Sequence, residues 1–145
     1  MAKRSAHTSW NGGLMDGAGR VSLVSSGAGA FDVSFPKRTA EEADGTTSPE
    51  ELIGAAHSAC YSMALSAGVA KAGGTPVNLE VDATVSLDPD PAGGSRISSV
   101  ALRVVGRVEG LTEEDFRRVA EVAKAGCPVS KALTGTTITL ETSLA

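Results

Sequence analysis

One stretch in the first half of the chain constrains its fold more than any other. Ser48-Pro49 before an apolar run predicts a helix start, because serine caps free backbone N–H groups and proline costs nothing at the first helical position. Glu51, three residues after Ser48, completes a capping box, and Gly73-Gly74 is a helix stop. The sequence therefore predicts one helix from Pro49 to about Ala70.

The predicted helix carries a cysteine, Cys60, on an apolar stripe. Because the stripe has the helical period, we expect it to face the core and the thiol of Cys60 to point into the fold. Many positions around it are small, so another backbone can approach closely. We therefore interpret Cys60 as a redox-active thiol in a buried, partly apolar pocket. The stripe consists of Leu52, Ile53, Ala56, Ala59, Cys60, Met63, Ala64 and Ala67.

Length and charge exclude several classes of protein. The 145 residues predict a single domain over residues 1–145, which buries roughly two-thirds of the surface of its unfolded chain. A net charge of −4 without a basic stripe argues against a nucleic-acid partner. The apolar runs look too short to cross a bilayer, and no apolar region follows the charged N-terminus. We expect no membrane partner and a cytoplasmic protein, whose cysteines are more often reactive or merely buried than bridged.

The remaining pattern predicts strands and shorter helices around the long helix. Strict alternation from Val77 to Leu87 predicts a half-buried antiparallel strand. Thr112 caps a helix that ends at Gly126, and Cys127-Pro128 opens a short one. These elements make an α+β fold, in which a symmetric dimer is the simplest cover for the long helix. Strands are expected at 6–10, 20–24, 31–35, 77–87, 97–108 and 136–144, and a loop at 37–47.

Both cysteines have an ordinary explanation beside the functional one. Cys60 can be a small hydrophobic residue of the core, which is a common fate of a free cysteine. Cys127 lies at the start of a short helix, where the helix dipole favours a thiolate, but it can also be a residue without a role. From position alone, Cys127 has the better claim to a lowered pKa.

Charged neighbours of the cysteine helix are the other candidates. Arg38 lies in the predicted loop before the helix and Arg20 near turn glycines, and either can be a solvated surface charge. Glu50 can hold an arginine or simply complement the helix dipole. His57 stands one turn before Cys60 and can be a base or a metal ligand, but no CxxC or HxxxH pair supports zinc.

Two motifs together resemble the signature of the OsmC/Ohr family of thiol-dependent peroxidases, nearest to its OsmC branch. The first is the run TSPEELIGAAHSACYSMALS at 47–66, and the second is GCPVSKAL at 126–133. The early sequence WNGGL at 10–14 and the glycine turn at 17–19 also fit. The resemblance extends over the whole chain, and the pair of cysteine motifs makes it specific.

The resemblance implies a fold, a partner and a set of roles. Members of the family look like intertwined homodimers, with long central helices wrapped by antiparallel sheets. Carried onto this chain, Cys60 is the peroxidatic cysteine, Cys127 resolves it, Arg38 touches the reactive thiol and Glu50 holds that arginine. The Ohr branch instead uses an arginine in the first glycine turn, which corresponds to Arg20. The choice between Arg38 and Arg20 therefore stays open.

The implied mechanism agrees with simple physical arguments. A thiol peroxidase needs a thiolate, and Cys60 in mid-helix gains little from the helix dipole, so a cation must help. Glu50 precedes Cys60 by ten residues, about 15 Å along a helix, and an arginine side chain has the reach to connect them. Lowering the pKa of the thiol gains at most about 2 kcal/mol, so a larger acceleration must come from stabilising the departing alkoxide. Cys60 would become a sulfenic acid and then a disulfide with Cys127.

The resemblance also implies an external dithiol as reductant, such as a dihydrolipoyl group on a lipoylated protein, and we expect no bound cofactor or metal. An apolar pocket around Cys60 would favour organic, lipid-like hydroperoxides over hydrogen peroxide as substrates. We expect an apolar pocket lined by Ile53, Met63, Leu65 and Phe35. Two other hypotheses are a dimeric binding module for an apolar ligand and a hydrolase or thioesterase in which His57 is the base for the cysteine.

Overall fold

The computed structural model describes residues 1–145 as two compact units, Met1–Leu52 and Ile53–Ala145. The long helix, Pro49–Lys71, begins in the first unit and continues in the second. The expectation of a single domain over residues 1–145 therefore stays a prediction.

The first unit is built on a three-stranded antiparallel sheet with the order β1-β2-β3. Strand β1 is His7–Asn11, β2 is Ala18–Ser22 and β3 is Ala30–Val33. Gly19 of β2 has no room for a side chain, because an added Cβ would lie 2.9 Å from the indole ring of Trp10. The strands expected at 6–10 and 20–24 thus form, within two residues of their predicted limits, and pair as an antiparallel hairpin.

The third strand is shorter than predicted, because Phe35–Arg38 forms a short helix, α1. The hydroxyl of Ser34 caps this helix by accepting a hydrogen bond from the backbone N–H of Lys37 at 3.3 Å. Pro36 lies in the first helical turn, where proline is tolerated, and the strand expected at 31–35 already ends at Val33. Arg38 is the last residue of a helix and not part of an irregular loop.

Helix α2, Pro49–Lys71, ends within one residue of its predicted limit. The Oγ atom of Ser48 accepts a hydrogen bond from the backbone N–H of Glu51 at 3.1 Å, which confirms the predicted cap. The carboxylate of Glu51 accepts a hydrogen bond from the hydroxyl of Thr47 and not from the backbone N–H of Ser48, so the second half of the predicted capping box is not formed. Gly73, with a φ of +87°, follows the helix in the left-handed conformation that favours glycine.

The second unit contains a three-stranded sheet with the order β4-β5-β6. Strands β4 and β5 are antiparallel, as predicted, whereas β5 and β6 are parallel, so this sheet is mixed. The connection through two helices carries the chain back to the same end of the sheet, as a parallel pair requires. The α+β class is confirmed. The elements are β4 Thr75–Pro89, β5 Ser95–Glu109, α3 Glu113–Gly126, α4 Pro128–Ala132 and β6 Thr137–Leu144.

The face of α2 that enters the core agrees only in part with the predicted stripe, of which Cys60 and Ala64 pack against the core. Tyr61, Leu65 and Val69 are fully buried, whereas Met63 is 72 % exposed and Ala59 is also exposed. Larger apolar side chains gain more free energy by leaving water, which agrees with the burial of Tyr61, Leu65 and Val69 at the centre of the core face. The core is completed by Val100, Leu102, Val104, Phe116, Ala120, Ala123 and Cys127.

Helix α2 is long and apolar enough to cross a membrane by length and composition, which corrects the expectation that every apolar run is too short. The core helix of a soluble protein passes the same test. In the single chain, 28 % of its most apolar window is buried, and Met63 is the large apolar side chain of the helix that is exposed.

Candidate active site

The two cysteines lie next to each other in the second unit, although 67 positions separate them in the sequence. The Sγ atoms of Cys60 and Cys127 are 3.2 Å apart, and neither cysteine is in a disulfide. Cys60 comes from the middle of α2 and is half-buried, whereas Cys127 is fully buried. Because a disulfide has an S–S distance of about 2.05 Å, a small side-chain movement can close the bond.

The position of Cys127 follows from its local sequence. It ends α3 and starts α4, with an extended backbone at φ −60° and ψ 124°. Pro128 stands in the first turn of α4, where its missing N–H costs nothing. As predicted, the sequence therefore ends one helix and begins the next at the cysteine.

The two thiols have opposite pKa shifts. Burial raises the pKa of Cys127, but the N–H and hydroxyl of Ser130, the thiol of Cys60 and the N–H of Val129 favour its thiolate and lower the pKa overall. Burial raises the pKa of Cys60, the N–H of Val129 opposes it, and the negative charge on Cys127 raises it further. Of the two thiols, that of Cys127 therefore loses its proton first as the pH rises.

A buried histidine lies close to this pair. His57 is fully buried, and its Nε2 atom is 2.8 Å from Oγ of Ser130, while its Nδ1 atom has no hydrogen-bond partner. Burial lowers the pKa of His57, so its ring is neutral at pH 7. Because the ring hydrogen-bonds to Ser130, it is not placed as the base for Cys60 that the hydrolase hypothesis requires.

In the first unit, Arg38 and Glu50 form a bidentate ion pair. Nη2 of Arg38 is 2.7 Å from Oε1 of Glu50, and Nε is 3.1 Å from both carboxylate oxygens. Burial raises the pKa of Glu50, but the hydrogen bond from Arg38 outweighs this effect together with smaller contributions, so the pKa is lowered overall. The same hydrogen bond raises the pKa of Arg38. Both groups are charged, and the carboxylate fixes the plane of the guanidinium.

The rival arginine has a different partner. Nη1 of Arg20 is 2.8 Å from Oδ1 of Asp32 on the neighbouring strand, and the two side chains are 59 % and 69 % exposed. Salt and water screen such a pair. Of the two arginines that the sequence leaves open, Arg38 is the one that Glu50 holds.

Two residues of the predicted apolar pocket lining, Met63 and Leu65, are placed differently in the structure. Met63 is exposed, and Leu65 is fully buried in the core of the second unit. Within one chain, neither residue therefore belongs to the predicted lining of the pocket. No three His, Cys, Asp or Glu side chains cluster closely enough to hold a metal ion.

Comparison with known proteins decides the family. Residues 42–143 match the family model described as OsmC-like protein. The chain belongs to the OsmC family. It is 43 % identical over 131 residues to the peroxiredoxin OsmC of Escherichia coli (strain K12), covering 90 % of this chain and 88 % of that protein. It is 35 % identical over 113 residues to the organic hydroperoxide resistance protein OhrA of Bacillus subtilis (strain 168), covering 77 % and 78 %.

Solved structures agree on the fold of this OsmC-family chain. The crystal structure of the organic hydroperoxide resistance protein OhrB of Bacillus subtilis has a TM-score of 0.74 and 29 % identity, covering 96 % of this chain and 98 % of that chain. The predicted resemblance and the OsmC/Ohr fold are therefore confirmed. Family membership also gives the enzyme class: the chain is a thiol-dependent peroxidase.

Proposed function

We propose that this peroxidase reduces organic hydroperoxides to alcohols, with Cys60 as the attacking thiol and Cys127 as the resolving thiol. The observation that carries the proposal is the 3.2 Å separation of the two sulfur atoms. At this distance, a sulfenic acid on one cysteine can condense with the thiol of the other to a disulfide with little side-chain movement. The printed name of the OhrA relative supports an organic hydroperoxide as the substrate class.

The proposed cycle has three steps that balance. The thiolate of Cys60 attacks the distal peroxide oxygen, an S–O bond forms, the O–O bond breaks, and the alkoxide takes a proton and leaves as the alcohol. The sulfur of Cys127 then attacks the sulfenic sulfur, so that an S–S bond forms, the S–O bond breaks and water leaves. An external dithiol finally reduces the disulfide and becomes a disulfide itself.

Exposure supports this order of the two cysteines, although the pKa shifts favour a thiolate on Cys127. Cys127 is fully buried, whereas Cys60 is half-buried and can be reached by a peroxide. The thiolate of Cys127 lies 3.2 Å from the sulfur of Cys60 and can accept its proton. The motif around Cys60 also corresponds to the peroxidatic position in the family resemblance.

We propose that the guanidinium of Arg38 assists Cys60. The bidentate pair with Glu50 keeps this arginine charged and oriented, which supports a role in electrostatic stabilisation. Glu50 and Cys60 lie ten residues apart on the same helix, so Glu50 can act on Cys60 only through a long side chain that lies between them, such as that of an arginine. The main contribution of Arg38 would be to stabilise the departing alkoxide.

We propose that the enzyme works in the cytoplasm without a bound cofactor and takes its electrons from an external dithiol, a dihydrolipoyl group being the expected one. The different exposure of the two sulfur atoms supports a defined order of attack when the dithiol reduces the disulfide. The incoming thiolate attacks the more exposed sulfur, that of Cys60, and Cys127 leaves. The lowered pKa of Cys127 makes it the better leaving group.

We also propose a homodimer that covers the exposed face of α2. Met63 on this face is 72 % exposed and Val77 on β4 is 48 % exposed. They line a groove of about 620 Å³ together with Ser62, Ser66, Ala67, Ala70, Pro76, Asn78 and Leu79. An apolar surface of this kind is typical of an interface, and a second copy would supply an apolar surface in return.

A peroxide assay tests the proposed activity. With dihydrolipoamide as reductant, we expect cumene hydroperoxide to be consumed about tenfold faster than hydrogen peroxide, because an apolar site binds the large apolar group. The Cys60→Ser variant should consume neither peroxide. Equal rates for the two peroxides would contradict the substrate class, and full activity of Cys60→Ser would contradict the assignment of the attacking thiol.

A further inference from the structure

We propose that His57 and Ser130 are positioning residues that hold the two cysteines within bonding reach of each other while the disulfide is open. Nε2 of His57 and Oγ of Ser130 are 2.8 Å apart, and this hydrogen bond joins the two segments that carry the thiols. The inference rests on the proposed function, in which Cys127 closes a disulfide with Cys60. It gives a role to a buried histidine and a buried serine that the proposed peroxidase cycle has not used.

The hydrogen bond and the pair of thiols connect the same two segments. His57 precedes Cys60 by three residues on α2, and Ser130 follows Cys127 by three residues in the first turn of α4. Residues that are three apart in a helix lie on the same side, about one turn from each other. The contact of His57 with Ser130 therefore stands about one turn from the contact of the two sulfur atoms, which are 3.2 Å apart.

Burial makes this hydrogen bond unfavourable to break. His57 is 0 % and Ser130 is 7 % exposed, and Nδ1 of the histidine has no hydrogen-bond partner, so the ring is held through Nε2. A hydroxyl can donate or accept, so either neutral tautomer of the ring forms the bond. Breaking it would leave two buried polar groups unpaired. The bond therefore persists whether the cysteines are reduced or joined.

Ser130 connects α4 to the core beside the resolving cysteine. It is the buried residue of α4, whereas Val129 packs against the core only in part. The backbone N–H of Lys131 donates to the carbonyl oxygen of Cys127 at 3.0 Å, so the turn that contains Ser130 is continuous with the cysteine. A bond that fixes Ser130 thus limits the movement of Cys127 away from α2. Two thiols held in place have a high effective concentration, which favours the disulfide over the open dithiol.

The test measures this effective concentration without peroxide, in a buffer of oxidised and reduced dithiothreitol. In the exchange, the two cysteines give two electrons and two protons to the cyclic disulfide of dithiothreitol, and mass spectrometry after alkylation gives the fraction of protein disulfide. We expect His57→Asn to lower the equilibrium constant for disulfide formation by about tenfold, the effect of one lost buried hydrogen bond, and to raise the reduction potential by about 30 mV. His57→Gln has one more methylene group, which lets its amide reach Ser130 from the position of Nε2, and should leave the constant nearly unchanged.

Two controls separate positioning from a general loosening of the core. Tyr61→Phe removes another buried hydrogen bond of α2, which the phenol donates to the carbonyl oxygen of Ala120 on α3 at 3.1 Å. This variant should keep the equilibrium constant of the unsubstituted protein. In a Ser130→Ala background, His57→Asn and His57→Gln should give the same constant, because the histidine acts through the serine.

The proposal would be overturned by equal constants for His57→Asn and His57→Gln in the presence of Ser130, or by an equally large fall in Tyr61→Phe. If neither histidine variant folds, Ser130→Ala decides, because it removes the same bond, and an unchanged constant would contradict the proposal. Such results would leave the peroxidase cycle intact. An unsubstituted protein that forms the disulfide in this buffer but consumes no cumene hydroperoxide would instead contradict the proposed function alone.

Discussion

Two arginines of the first unit pair with carboxylates, and their surroundings differ. Arg38 binds Glu50, which is only 7 % exposed, whereas Arg20 and Asp32 meet on the surface. A guanidinium that is fixed by a buried carboxylate keeps its charge and its direction, as electrostatic catalysis requires. At the scale of single residues, the contrast between these pairs supplies a matched experiment.

We expect Arg38→Ala to lower kcat/KM for cumene hydroperoxide by about 10²–10³-fold, the loss typical of removing a donor that stabilises a developing oxyanion. Arg20→Ala should change it by less than about fivefold, because an exposed ion pair contributes little. Steady-state kinetics of both variants measure the two effects. A larger loss of kcat/KM in Arg20→Ala than in Arg38→Ala would assign the assisting role to Arg20.

Glu50 predicts a pH-dependent contribution to stability. Its pKa in the folded protein is below the ordinary value of 4.5. The ion pair therefore stabilises the fold fully above that ordinary value, and the contribution is lost as the pH falls through the lower folded pKa. The difference in free energy of unfolding between the unsubstituted protein and Glu50→Gln should be about 1–3 kcal/mol at pH 7 and shrink in acid, as measured by urea denaturation.

Asp32→Asn is the control for this measurement, because Asp32 also pairs with an arginine but is largely exposed. It should give no comparable pH-dependent difference. A Glu50→Gln difference that stays constant from neutral pH to acid would show that the carboxylate charge does not matter for stability.

At the scale of elements, the exposed face of α2 predicts the oligomeric state. Met63→Asp places a charge on this face and should convert a dimer into a species of the 14.6 kDa chain mass, as measured by light scattering after gel filtration. Val122→Asp on α3 is the matched control, because Met63 and Val122 are exposed to 72 % and 70 %. A monomeric unsubstituted protein, or dissociation by Val122→Asp alone, would contradict the proposed interface.

The limits of the two longer helices, α2 and α3, could be predicted from the sequence because their signals are local. Ser48 and Thr112 cap their helices as expected, and Gly73 follows the long one. The core face of α2 could not be predicted in the same way. Its stripe of small residues and its buried row of Tyr61 and Leu65 both have helical spacing, and only packing against the other elements selects between them. The direction of β6 likewise depends on the path through α3 and α4.

The candidate site was predictable only where a motif marked it. Both cysteines stand out in the sequence, but their 3.2 Å separation depends on the folding of residues 67 positions apart. Ser130 was missed, although its place three residues after Cys127 puts it in the first turn of α4. Its link to His57 spans 73 positions and has no local signal.

At the scale of the whole molecule, the likeness to OhrB covers 96 % of the chain and thus reaches both compact units. The proposed reaction, however, passes its electrons through one pair of sulfur atoms in the second unit. The account depends on these two atoms acting in a fixed order, with Cys60 oxidised first and Cys127 second.

The most direct test of this order treats the reduced protein with one equivalent of cumene hydroperoxide in the presence of a sulfenic-acid trap and maps the cysteines by mass spectrometry. The account predicts a Cys60–Cys127 disulfide in the unsubstituted protein, a trapped sulfenic acid on Cys60 in Cys127→Ser, and no trapped product in Cys60→Ser. A trapped sulfenic acid on Cys127 in Cys60→Ser, or two intact thiols in the unsubstituted protein, would contradict it.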